Sequence, residues 1–298
     1  MAPPKSPEGW AIRASLMLRQ VLEADRFPVD VERLALEWSK VLDPKAPITR
    51  VRAKPLEGFE GALVDGRNRG KGWGIVYDAG MRSEGRRRFT IAHEFGHFIM
   101  HRDEAPQGGF QCRQEDLAAW DHDRSPQETE ANRFAAGVLM PFDDFRAQVP
   151  ARALVGLEKL GELARERYGV SLTACALRWL EHTERRAILV VSRDGFVLWA
   201  KPSGPAYRSG IFLRTRSGPP IDVPEASPLA SGDPFLASGE VVRHPAGVWF
   251  DEPVREEVIV ADRYDLGLSL LTLDGGAART DHVEENEPDV VDLIGRRG

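Results

Sequence analysis

Arg88-Phe89-Thr90-Ile91-Ala92-His93-Glu94-Phe95-Gly96-His97 lies inside a run, 86–101, whose apolar residues Phe89, Ala92, Phe95 and Ile99 recur at helical spacing. On such a helix His93 and His97, at i and i+4, lie one above the other on the same face. Two imidazoles so placed can share one tetrahedral zinc at roughly 2.0–2.1 Å from each nitrogen. Glu94 then stands beside the ion, where its carboxylate can take a proton from water. The competing reading is a chance match in a helix with two satisfied histidines, and the helical context favours the metal.

A catalytic zinc needs a third protein ligand and a position open to water. His101 continues the spacing, but along a straight helix it lies ~12 Å from His93, so it reads as a neighbour of the site or a core residue. Asp103 stands where another zincin class has its third histidine, which argues against that class. A second helix is expected from Pro126, with proline in the first turn, to Met140, with Pro141 as its stop. It offers Glu128 and Asn132 at i and i+4, Glu128 as a ligand and Asn132 hydrogen-bonding a ligand histidine. A first-turn carboxylate such as Glu128 also suits the helix dipole alone. Glu130 lies about 160° round from Asn132 and is expected to be solvated. Tyr77 and His122 are candidate oxyanion donors between which spacing does not choose, and Tyr77 fits an ordinary strand aromatic better. Cys112 and Cys175 show no partner motif and are expected to be inert.

Together with Glu128-Thr129-Glu130-Ala131-Asn132-Arg133-Phe134-Ala135-Ala136-Gly137-Val138-Leu139-Met140-Pro141, the histidine run resembles the ImmA/IrrE metallopeptidase family, over roughly Phe59 to Phe142. The resemblance implies a gluzincin-like fold and an endopeptidase that cuts helix-turn-helix transcriptional repressors, derepressing stress genes such as those of the radiation and DNA-damage responses. Zinc is the expected ion, and the ligand set also suits manganese or iron. In such a fold Trp73–Tyr77 is the sheet edge that binds an extended substrate by strand addition. The rival reading is a transcriptional regulator or ligand sensor that keeps the peptidase fold as scaffold. The intact Glu94 disfavours it, since a scaffold has no need of the base.

The rest of the 298 residues frames this site. A net charge of −6 argues against a protein that coats nucleic acid over its whole surface. No apolar run is long enough to cross a bilayer, and Met1–Gly9 lacks the apolar core of a signal peptide. Two cysteines make no disulfide framework, and the expected location is the cytoplasm. Helices are expected at Trp10–Ala24 and from an Asp30 N-cap to Trp38, strands at Phe59–Val64 and Trp73–Tyr77, and a loop at Gly108–Gly109. Arg82, Arg86, Arg87 and Arg88 read as a solvated basic face rather than a docking patch.

Leu157–Leu180 reads as helix, turn, helix, with Gly169 as the stop and Ser171 as the next cap. Six basic residues against five acidic ones over 150–185, and a single arginine (Arg178) in the second helix, make a poor footprint for DNA. A structural or protein-binding role is favoured. Beyond Arg185 strands are expected at Ala187–Val191, Gly195–Trp199, Arg208–Leu213, Glu240–Arg243, Val258–Ala261 and Leu268–Leu273, and the acidic tail Asp281–Asp292 is expected to be loosely ordered. The fold class is therefore α+β: a zinc metallopeptidase domain (1–150), a helix-turn-helix-like unit (151–185) and a β-rich domain (186–298). That order is similar to the family's radiation- and desiccation-response regulators, whose third domain is GAF-like and suited to a small-molecule signal.

Overall fold

Ser6 opens α1 (Pro7–Leu22), its side chain accepting from the Gly9 amide, and Asp30 caps α2 (Val31–Leu42) by accepting from Arg33 N. The computed structural model describes residues 4–112, 125–215, 219–231, 240–261 and 266–274. After α2 come β1 (Ile48–Lys54), β2 (Gly61–Asp65) and β3 (Trp73–Asp78), then α3 (Glu84–His101) and β4 (Gly109–Cys112). The four strands lie in the order β1-β3-β2-β4, with β1 parallel to β3 and β2 antiparallel to both β3 and β4.

This order corrects two expectations. Trp73–Tyr77 is an interior strand, because β1 covers the side that would have been the edge. β1 is hard to see in sequence, since Arg50, Arg52 and Lys54 are exposed and Ile48 alone is fully buried. Gly108–Gly109 does not mark a plain loop, since Gly109 opens β4 at φ 103°. A Cβ there would stand 1.8 Å from the Leu63 carbonyl oxygen, so only glycine lets β4 come this close to β2. β4 is an edge of the sheet among the described strands.

α3 lies on this sheet and presses Ile91, Phe95, Phe98 and Ile99 into the core. α4 (Pro126–Leu139) starts at Ser125, whose side chain accepts from Glu128 N, and packs against α3 through Ala131, Phe134 and Ala135. The three arginines in the first turns of α3 are not a free basic face. Arg86 pairs with Glu60, Arg87 with Glu84, and Arg88 donates to the Val29 carbonyl.

Next follow α5 (Phe142–Gln148) and α6 (Leu157–Glu162), which runs on as a π-helical turn through Leu163–Tyr168. Gly169 then takes φ 61°, and Ser171 caps α7 (Leu172–Leu180) through Ala174 N at 3.1 Å. The helix, turn, helix pattern stands as expected. α7 turns Cys175, Ala176, Leu177, Trp179 and Leu180 into the same core as α3 and α4. Arg178 is 6% exposed, donates to the Met140 carbonyl and pairs with Glu181, so the helix's one arginine is spent inside the protein.

The last sheet holds β5 (Arg186–Arg193), β6 (Phe196–Pro202), β7 (Glu240–His244), β8 (Val254–Ala261) and β9 (Leu266–Leu273), in the antiparallel order β6-β5-β9-β8-β7. Arg208–Leu213 is not a strand. Ser203 caps a short helix, α8 (Gly204–Arg208), with Pro205 in its first turn, and irregular chain follows. Strand alternation splits the apolar residues of β5 and β9. Ala187, Leu189, Val191, Leu268 and Leu270 join the main core, while Ile188, Val190, Leu271 and Leu273 build a second cluster with Trp249. α6 has no side-chain cap of its own. Glu257 of β8 supplies one, accepting from Leu157 N at 2.7 Å.

α5 is tied to the turn after α6 by Asp144, which accepts from Arg167 at 2.7 and 2.6 Å and from the Tyr168 hydroxyl at 2.8 Å. Burial opposes the Asp144 charge, but these donors outweigh it and hold the carboxyl below its ordinary range. Its contribution to stability is therefore complete above the unfolded-state pKa and lost as pH falls through the lower folded value. Asp144→Ala is expected to cost about 1–3 kcal/mol by chemical denaturation, the upper end tempered by the partial exposure of Arg167. The deficit should shrink in acid, and a variant as stable as the parent at neutral pH would contradict this account.

Candidate metal centre

α3 buries His93, Glu94 and His97 completely, each at 0% exposure. Such burial costs several kcal/mol per unsatisfied polar group, so the partners of each atom matter. His93 Nδ1 lies 2.8 Å from Asn132 Oδ1. An amide oxygen only accepts, so Nδ1 carries the proton and Nε2 is left with a lone pair. His97 Nδ1 lies 3.1 Å from His101 Nδ1, and His101 Nε2 lies 2.9 Å from Glu130 Oε2. Glu130 accepts from His101 Nε2–H, which leaves His101 Nδ1 to accept from His97, and His97 Nε2 again carries a lone pair.

The two lone pairs converge. His93 Nε2 and His97 Nε2 stand 3.0 Å apart with no proton between them in this tautomer assignment. Glu128 brings Oε2 to 3.1 Å from the first and Oε1 to 3.3 Å from the second. Cys112 Sγ lies 3.1 Å from His93 Nε2 and 3.6 Å from His97 Nε2. The ligand atoms of His93, His97, Cys112 and Glu128 all fall within 4.8 Å of one another. Zinc bonds of ~2.0–2.3 Å at tetrahedral angles imply ligand separations of about 3.3–3.6 Å, which the observed spacings approach. The residues present therefore fit a metal ion, and repulsion between two buried lone pairs is what such an ion would relieve.

The electrostatics differ from group to group. Burial works against charge on His93, but Glu128 and Glu94 outweigh it and its pKa is raised. Burial pushes His97 down to about 4, so it is neutral near pH 7, as a ligand must be. Burial also opposes charge on Glu128, yet the two imidazoles hold its carboxyl well below the usual range. Glu94 is the exception. Burial pushes it up to about 7, although His93, the Cys112 thiol and the Leu63 amide all favour its charge. Neither of its oxygens meets a donor with full hydrogen-bond geometry. The sheet comes close at Gly61, where a Cβ would stand 2.7 Å from Glu94 Oε1.

Among the residues singled out from sequence, the fold thus brings together His93, Glu94, His97, Glu128 and Asn132. Glu130 is not simply solvated, because it orients His101. The hydroxyl of Tyr77 accepts from Arg87 at 3.5 Å, two turns of α3 before Glu94. His122 lies outside the described residues. Cys112 corrects the expectation that it is inert. β2 and β4 pair so that Gly61 faces Cys112, which carries the thiol onto the ligand face of α3. Phe110, two residues earlier on that strand, stacks on the His97 ring at 4.4 Å and 12°. No spacing rule links position 112 to 93 and 97, because strand pairing makes the contact.

Glu128→Ala is expected to lower bound metal in dialysed protein by at least about tenfold, whereas Glu130→Ala, which acts only through His101 and His97, lowers it less. Elemental analysis of both variants checks the order, and the reverse ranking would put the ligand carboxylate at Glu130.

Comparison with known proteins bears on this segment. A Mycobacterium tuberculosis transcriptional regulator of known structure aligns with a TM-score of 0.53 at 15% identity, over 89% of this chain and 75% of that chain, a likeness of fold alone. No curated protein gives a significant match. Among the described residues, no helix is long and apolar enough to cross a membrane. Residues 45–180, which hold every group of the centre, match the family model described as the IrrE N-terminal-like domain, Peptidase_M78. That match supports the ImmA/IrrE family and with it a metallopeptidase.

Proposed function

We propose that this chain is a metal-dependent endopeptidase with His93, His97 and Glu128 as protein ligands and Glu94 as general base. The observation that carries the reading is the meeting of two buried imidazole lone pairs and a carboxylate at 3.0–3.3 Å, with Glu94 alongside. Zinc, when bound, supplies a Lewis acid that activates water and polarises a scissile carbonyl. Manganese or iron would suit the same nitrogen and oxygen donors.

The chain's own residues do the rest. Glu94, with a pKa near 7, is matched to taking a proton from the attacking water and passing it to the leaving amine. Asn132 holds the His93 ring, and the His101–Glu130 pair holds the His97 ring, each in the tautomer a ligand needs. β4, an edge among the described strands, offers backbone groups to an extended peptide by strand addition.

By the family resemblance the substrate is a helix-turn-helix repressor whose cleavage derepresses stress genes, in the manner of the radiation- and desiccation-response regulators. The sheet β5–β9 then acts as a GAF-like sensing or substrate-positioning module. DNA binding through α7 is disfavoured by the burial of Arg178. A second reading has support from the neighbour described as a transcriptional regulator: a regulator that keeps this fold as scaffold. Incubating metal-loaded protein with a candidate repressor separates the two, since only the peptidase yields cut products.

Glu94→Gln is expected to fold and hold metal like the parent yet lose about 100-fold or more in cleavage, because an amide cannot accept the proton. Gel-resolved product formation beside metal analysis checks both halves, and normal turnover would remove Glu94 from the chemistry. Chelation should abolish cleavage and zinc restore it, so activity that persists in excess chelator would refute metal dependence.

A further inference from the structure

Resting on the metal-site reading above, we infer that Cys112 is the fourth metal ligand and holds the centre in a closed, latent state. A structural zinc site has four protein ligands, whereas a catalytic one has three and keeps its fourth position for water. Here the fourth position is filled. Cys112 Sγ stands 3.1 and 3.6 Å from the two imidazole Nε2 atoms, and its ligand atom falls with theirs and that of Glu128 inside 4.8 Å.

Three further observations point the same way. The thiol is near enough to Glu94 to interact with that carboxylate, which is the neighbour an attacking water would have. Glu94 itself is fully buried, and the Cys112 thiol is among the few groups beside it that favour its charge. Cys112 is 0% exposed and fixed by backbone pairing, with Gly61 opposite it and its carbonyl accepting from Glu60 N at 2.9 Å. A sulfur so fixed is not a passing contact. Thiolate is also a better zinc ligand than water, so the closed set is the more stable one until the sulfur is displaced.

The consequence is a peptidase whose metal is bound but whose water position is occupied. The position opens only when the thiolate leaves the metal, and β4 is the same strand that an extended substrate would pair with.

The test uses the full chain loaded with one equivalent of cobalt(II), because thiolate ligation produces an intense near-ultraviolet charge-transfer band. The parent and Cys175→Ala are expected to show the band, while Cys112→Ala and Cys112→Ser bind cobalt without it and at least about tenfold more weakly. Zinc-loaded Cys112→Ala should also cut a repressor substrate faster than the parent. Cobalt bound to the parent with no thiolate band would overturn the inference while leaving the His93, His97 and Glu128 site standing. Cobalt binding that survives His93→Ala would overturn the metal-site reading itself, and the inference with it. A band without any gain in turnover would overturn latency. Should the Cys112 variants not fold, X-ray absorption at the zinc edge of the loaded parent decides, since one sulfur at about 2.3 Å must appear among the ligands and a set of nitrogen and oxygen alone would refute ligation.

Discussion

Two unshared imidazole lone pairs buried 3.0 Å apart repel each other, and a cation between them would relieve that repulsion. The local architecture of residues 45–180 serves that constraint. Each ring is turned inward because its other nitrogen is held from behind, His93 by Asn132 and His97 by His101. The chain of donors ends at Glu130, which is half exposed and can keep its charge in contact with water. Glu128 brings the opposite charge to the front. A helix carrying the same two histidines without α4 behind it would leave both rings free to rotate and the ligand geometry undefined.

The same low-polarity surroundings explain why neighbouring groups behave so differently. Burial alone would neutralise every one of them. Glu128 is held below the usual carboxylate range wherever a facing imidazole carries a proton to donate, and Glu94 is driven up to about 7 because its favourable contacts do not offset burial. Two carboxylates close to one another thus acquire opposite tendencies, one suited to hold an ion and the other to trade a proton.

Beyond the centre, the chain is joined by shared burial. α7 adds to the core that α3 and α4 share, and alternate residues of β5 and β9 extend it into the last sheet. Glu257 adds a polar tie, since a carboxylate of β8 caps α6 from across the interface. Removing the segment after Pro150 would uncover Phe145, whose ring stacks on Tyr168. Helices α6 and α7 therefore pack inward here, with the apolar residues of α7 in the common core.

How much of this was written in the chain depends on whether the information is local. The i, i+4 spacing of His93 and His97 and of Glu128 and Asn132, the Ser171 cap and the Gly169 stop are one-helix or one-turn properties, and they were legible because a helix repeats every 3.6 residues whatever surrounds it. β1 was not legible, since its exposed arginines and lysine break the apolar alternation, and without it Trp73–Tyr77 looked like an edge. Nor was the short helix after Ser203, where a cap and Pro205 outweighed the apolar look of the following residues. Cys112 is the plainest case. Nothing in a sequence connects position 112 to positions 93 and 97. Only the pairing of β4 with β2, made possible by a glycine where a Cβ would strike the Leu63 carbonyl, carries that sulfur to the two imidazoles. The sequence alone determined which side chains one helix turn could bring together, because backbone geometry sets that locally. The tertiary structure alone decided what stands opposite them, because hydrogen bonds between distant strands set it.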